Sequence, residues 1–226
     1  MKKNKKKLFI ALDTNKYNRA AKIVKDTKTN KLKIGYKIGL ELMNSIHGRY
    51  FVRKIKNKIT FLDLKLNDIP NTCVSTVKAI KDLKVNYLTI HISSGLEALK
   101  AAKKASGKIK LIGVTILTSL NNKALKEIGF DKDVKKLVLH QARLASKARL
   151  DAIVCSAQEV KLVKKVFKKE IITPGIRFSS KKNDQKRTLT PKQAIANGAN
   201  WLVIGRDITK GNIKKNIKKL IDHLNR

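Results

Sequence analysis

The sequence predicts one α/β domain, a closed (β/α)8 TIM barrel. Three observations carry that expectation. Eight short apolar, β-branched-rich runs recur along the 226 residues, each followed by a helical pattern. The chain has the length that eight such units need. Polar and ionisable residues stand at the C-terminal ends of the runs, where a barrel assembles its active site.

The first strand is LFIALD, residues 8–13. The basic residues 1–7 before it read as a solvated tail, so the barrel occupies 8–226. The apolar run LFIAL is too short for a signal peptide or a membrane span. A polar helix follows over about 17–26. The segment 32–42, LKIGYKIGLEL, opens as a strand with Lys37 near its end, and a helix interrupted near Gly48 covers about 40–56. The third strand is ITFLDLKL, 59–66, with a helix over 72–83. NYLTIH ends the fourth at His91, ahead of a helix over about 95–105. KLIGVTIL, the fifth, runs into Thr118 and Ser119, with helices near 121–128 and 132–148. The sixth, AIVCS, ends at Ser156, before a helix over about 157–167. IITPGIR and WLVIGR complete the set at Arg177 and Arg206, and a helix over about 213–224 ends the chain. The long polar loop 178–190 lies between the last two strands, with Thr190 and Pro191 suited to cap and open the next helix.

The most informative stretch is FLDLKLNDIPNT, 61–72. Period-two alternation sends Phe61, Asp63 and Lys65 to one face and Leu62, Leu64 and Leu66 to the other. Asp63 and Lys65 then stand about 7 Å apart on one face. Asp68 follows where Asn67 and Pro70 turn the strand into a loop. Such a cluster suits an active site, and equally a salt bridge on an edge strand. In a barrel, Asp13, Lys37, Asp63, Lys65, His91, Thr118, Ser156, Arg177 and Arg206 all converge on one mouth. Strands seven and eight of such barrels often seat a phosphate, and Gly205–Arg206 offers a backbone N–H beside a guanidinium there.

A formal net charge of +37 raises the question of nucleic acid or membrane binding. The cations are 44 lysines and only 9 arginines, scattered over nearly every helix, and aromatic residues make up 5%. Arginine is the better bidentate reader of phosphates and bases, and stacking platforms are few, so any nucleic-acid binding is expected to be non-specific. A codon bias toward A and T accounts for the lysines more simply. Cys73 and Cys155 form no CxxC pair and read as small apolar residues of a reducing, cytoplasmic compartment. His47, His140 and His223 lack ligand spacing, which argues against zinc. His91 reads as packed rather than catalytic, and Ser156 lacks a nucleophile-elbow context.

Taken in order, FLDLKLNDIPNT, TPGIR and VIGRDIT resemble the orotidine 5′-monophosphate decarboxylase family, and IALD, YKIGLEL, VTILTS and VCSAQE fit it too. The resemblance runs from about Leu8 to Thr209. It implies decarboxylation of orotidine monophosphate to UMP, the last step of pyrimidine synthesis, with no metal and no organic cofactor. It further implies a charged array of Lys37, Asp63, Lys65 and Asp68, with Lys65 protonating C6 and Asp68 reaching into the partner's site of a homodimer. Asp13, Lys37 and Thr72 would hold the ribose, and Thr118 would lie over the pyrimidine edge. Gln185, Arg206 and Gly205 would take the phosphate, with Arg177 in the same set. Two departures stand out: Asp207 follows Gly205–Arg206 where the family often has proline, and ISSG follows His91 where AxGG-like sequences are common. Two alternatives remain: a magnesium-dependent keto-sugar-phosphate decarboxylase or aldolase, and a non-catalytic basic RNA-binding protein.

Overall fold

The structure, a computed structural model, describes residues 5–178 and 188–225. In chain order its elements are β1 (Lys7–Ala11), α1 (Tyr17–Asp26), β2 (Lys33–Gly39), α2 (Leu40–Met43), α3 (Gly48–Lys54), β3 (Ile59–Leu66), α4 (Pro70–Ala79), β4 (Tyr87–His91), α5 (Gly95–Ala105) and β5 (Lys110–Val114). There follow α6 (Asn122–Glu127), α7 (Val134–Lys147), β6 (Ala152–Val154), α8 (Val160–Lys164), β7 (Glu170–Thr173), α9 (Pro191–Ala196), β8 (Trp201–Ile204), α10 (Arg206–Thr209) and α11 (Ile213–Asn225). Each strand pairs in parallel with the next, and β1 closes on β8, so the eight strands form the expected closed barrel.

Alternation along the strands builds two cores. Phe9, Phe61, Tyr87, Ile112, Ile172 and Trp201 point inward and fill the barrel. Residues one step away, such as Leu8, Ile10, Leu62, Leu88, Ile153 and Ile171, pack outward against the helices. The helices answer with one apolar stripe each; on α11 the buried positions are Ile213, Ile217, Leu220 and Ile221, the spacing of a single helical face. Phe9 stacks on Trp201 with ring centroids 4.1 Å apart. A Cβ at Gly35 would come within 2.6 Å of the Phe9 ring, so glycine is what lets this ring lie there. At this closed end Glu170 accepts from the Tyr87 hydroxyl at 2.9 Å and the Trp201 indole at 3.3 Å. The filled bottom closes that end of the barrel; the opposite mouth is open.

Element boundaries depart from the sequence reading in instructive ways. Lys7 is the first residue of β1 rather than the last of a tail; its ammonium pairs with Glu170 at 3.5 Å and lies 5.6 Å from the Trp201 ring centroid. Strands one and five to eight stop before their terminal polar residues, so Asp13, Thr118, Ser156, Arg177 and Arg206 lie on loops or helix starts. α4 opens two residues earlier than expected because Pro70 fits the first helical turn. The short α10, unanticipated, begins at Arg206 itself. Thr190 and Gln193 form a reciprocal capping box ahead of Pro191, as the sequence suggested for that end of the loop.

β3 matches its expected bounds but is not a regular strand. Its pairing with β4 runs Phe61 with Tyr87 and Leu62 with Leu88, then resumes at Leu66 with Ile90. Residues 63–65 therefore face Thr89 alone, a wide bulge. Lys65 sits in the left-handed region at φ 51°, a conformation that costs a non-glycine residue about 1–2 kcal/mol.

Candidate active site

The open mouth contains a cavity of about 260 Å³. β2 delivers Lys37 to it, β3 delivers Asp63 and Lys65, and the loop after β1 delivers Asp13. These four form a chain of alternating charge. Lys37 Nζ lies 3.3 Å from Asp13 Oδ1 and 3.2 Å from Asp63 Oδ2. Lys65 Nζ lies 2.9 Å from Asp63 Oδ1. Both oxygens of the buried Asp63 carboxylate thus face an ammonium.

The surroundings fix the charge states. Burial opposes ionisation of Asp63, but Lys37 and Lys65 outweigh it and hold its pKa below the usual carboxylate value. Burial likewise opposes the charge on Lys37, and the Asp63 and Asp13 carboxylates overcome it, raising its pKa. For His91 burial and then the Lys65 charge favour the neutral ring and lower its pKa, against a smaller pull from Asp63. Asp63 is thereby held toward its ionised form, Lys37 toward its charged form and His91 toward its neutral form.

The other side of the cavity is built by the ends of β5, β7 and β8. Thr118, Arg177, Gly205 and Arg206 line it. Gly175, at φ 74°, makes the turn after β7 in a conformation that suits glycine. Beyond it, Ile176 bridges Leu189, and the Arg177 amide donates to the Leu189 carbonyl at 3.0 Å. The two described ends of the long loop are thereby tied together at the rim.

Of the sequence-predicted residues, Asp13, Lys37, Asp63, Lys65, Thr118, Arg177, Gly205 and Arg206 meet at this cavity. Asp68 and Thr72 do not line it; both are exposed, and the Asp68 carboxylate accepts the Ile69 amide at 2.8 Å. Gln185 lies outside the described residues. Asp207, the residue that stands where the family often has proline, does not itself line the cavity. Its side chain is largely enclosed, with Oδ1 3.3 Å from Arg177 Nη1 and Oδ2 accepting the Phe178 amide at 3.0 Å. Residue 207 thus engages a cation of the cavity wall. Thr89 was missed altogether: its hydroxyl lies behind Asp63 and Lys65, bonded to both residues. A polar residue inside the apolar run YLTIH was the only trace of it in the sequence.

Among the described residues no group of three or more His, Cys, Asp or Glu side chains is placed to hold a metal ion. Among them, too, no helix is long and apolar enough to cross a membrane. Cys73 and Cys155 are buried free thiols.

Residues 6–219 match the model of the orotidine 5′-phosphate decarboxylase / HUMPS family. The chain belongs to that family. It is 47% identical over 221 residues to the orotidine 5′-phosphate decarboxylase of Wolbachia sp. subsp. Brugia malayi, covering 95% of this chain and 96% of the relative. The enzyme of the same name from Carboxydothermus hydrogenoformans is 42% identical over 216 residues, covering 89% and 88%. The crystal structure of orotidine 5′-phosphate decarboxylase from Lactobacillus acidophilus superposes with a TM-score of 0.82 at 29% identity, covering 98% of this chain and all of the other. The orotidine 5′-phosphate decarboxylase family therefore accounts for the whole barrel and not only for the charged stretch on β3.

Proposed function

We propose that the protein decarboxylates orotidine 5′-monophosphate to UMP in pyrimidine synthesis, using the Asp13–Lys37–Asp63–Lys65 array. The observation that carries the reading is the seating of both Asp63 oxygens between ammoniums, at 3.2 and 2.9 Å. In the reaction the bond from C6 to the carboxylate breaks, carbon dioxide leaves, and its electron pair stays on C6. The Lys65 ammonium stabilises that developing charge and gives C6 a proton; solvent later restores the lysine. Asp63 keeps Lys65 aimed, and Lys37 with Asp13 suits the ribose hydroxyls. The Gly205 N–H and the Arg206 and Arg177 guanidiniums suit the phosphate, with Gln185 assigned to the same group and Thr118 to the pyrimidine edge. A phosphate grip remote from C6 supplies binding energy that orients the ring against Lys65.

Asp68 and Thr72 enter through a second copy of the chain. Asp68 is exposed and borders Ile69, which is 67% exposed. Leu40, at 51%, and Leu117, at 38%, are also uncovered. Burying them in a two-fold dimer would carry each Asp68 to the neighbouring mouth and complete the ribose site. We place this enzyme in the cytoplasm, in keeping with its two buried free thiols. A magnesium-dependent sugar-phosphate reaction is less well supported, because the ammoniums on both Asp63 oxygens compete with a metal there. Loss of pyrimidine absorbance from orotidine monophosphate in EDTA tests the reading. Sustained turnover supports it, and a folded protein that leaves the substrate intact, or needs magnesium, overturns it.

A further inference from the structure

We infer that Thr89 is a positioning residue for this chemistry, its buried hydroxyl fixing both the bulge that presents Lys65 and the carboxylate that aims it. Thr89 is fully buried and does not line the cavity, so it acts only through its neighbours. Its Oγ1 accepts the Lys65 amide at 2.8 Å. That N–H belongs to the bulged stretch 63–65, where the backbone pairing of β3 with β4 is interrupted. The hydroxyl of β4 thus supplies an acceptor where the regular ladder is broken. Its single proton has two acceptors in reach, Asp63 Oδ1 at 3.3 Å and the Leu62 carbonyl at 3.5 Å. The carboxylate is the nearer and carries the charge, so it is the stronger acceptor. One side chain therefore sets the backbone of Lys65 and the orientation of Asp63 together. A left-handed lysine persists only where its surroundings hold it, and Thr89 is the polar contact that does so.

The inference rests on the decarboxylase reading, and its test separates the two. Thr89→Val keeps the branched shape and deletes the hydroxyl; Thr89→Ser keeps the hydroxyl and deletes a methyl. In the full-length protein, Thr89→Val is expected to lower kcat for orotidine monophosphate by about 10–100-fold, the scale of a misplaced catalytic group, with KM changed by less than ~3-fold. Its acid limb in kcat moves to higher pH, because Asp63 loses a donor to its ionised form. Thr89→Ser is expected to stay within ~3-fold of the parent. Hydrogen exchange at the Lys65 amide, read by NMR without any turnover, is expected to be ~10-fold faster or more in Thr89→Val and unchanged in Thr89→Ser. Parent-like kcat in Thr89→Val, equal losses in both variants, or unaltered exchange would overturn the inference. If the parent itself leaves orotidine monophosphate intact, the decarboxylase reading and the catalytic role of Thr89 fall together, while the exchange data still decide whether the hydroxyl holds the bulge.

Discussion

The buried Asp63 carboxylate and its two ammoniums govern how this site responds to pH. A carboxyl whose pKa is depressed in the fold stabilises the protein above its unfolded value and loses that contribution as pH falls through the folded pKa. For Asp63 the loss therefore begins only below the ordinary 3.8. The raised Lys37 works oppositely: its contribution is complete below the ordinary 10.5 and fades only above it. His91, its pKa lowered from 6.5 by burial and then by the Lys65 charge, is driven further toward its neutral form. A profile of log kcat against pH is thus expected to show no His91 limb near 6.5 and no acid limb until Asp63 titrates. Asp63→Asn removes the charge that both lysines face, and kcat is expected to fall by about 10²-fold or more, in line with deleting preorganised electrostatics. These residues were legible in the sequence because alternation on one strand placed Asp63 beside Lys65. Thr89 was not, because a threonine in a strand looks like any β-branched residue until the opposite strand bulges toward it.

At the scale of elements, the ends of strands carry the chemistry, and local packing rather than periodicity decides where they end. Ile59–Leu66 was readable to the residue, yet its bulge was invisible, since register depends on a partner 24 residues away in sequence. The contacts between the end of β7 and α10 were invisible for a similar reason. Nothing in the sequence shows that Asp207, beside Arg206, turns toward Arg177 and the Phe178 amide. Its side chain is 5% exposed and that of Arg177 13%. Asp207→Asn keeps an acceptor for the amide but removes the carboxylate charge beside the guanidinium. Weakening a largely enclosed hydrogen bond between charged groups costs about 1.5–3 kcal/mol. Thermal unfolding of Asp207→Asn is therefore expected about 3–12 °C below the parent, at 2–4 °C per kcal/mol for a chain of this size. An unchanged midpoint would show that the pair contributes little.

For the whole molecule, the barrel was predictable from eight repeated units, whereas the proposal of a dimer comes from family resemblance. The dimer proposed above has a quantitative signature. Lys65→Ala and Asp68→Ala each spoil every site of their own homodimer. Mixed and exchanged in equal amounts, they are expected to recover about a quarter of the parent activity. Half of the dimers are then hybrids, and one of the two sites in each hybrid is intact. No recovery despite subunit exchange would remove Asp68 from the partner's site. The charge of +37 belongs to the same scale. It attracts an anionic nucleotide over long range, so KM is expected to rise with ionic strength while kcat changes little.

Proton transfer from Lys65 leaves a mark on the product. Orotidine monophosphate is incubated with the protein in deuterium oxide with EDTA, and the product is read by NMR. The Lys65 mechanism predicts UMP carrying one deuterium at C6, formed at least ~10³-fold more slowly by a folded Lys65→Ala variant. Untouched substrate with folded, dimeric parent protein, or UMP formed equally fast without Lys65, would contradict it.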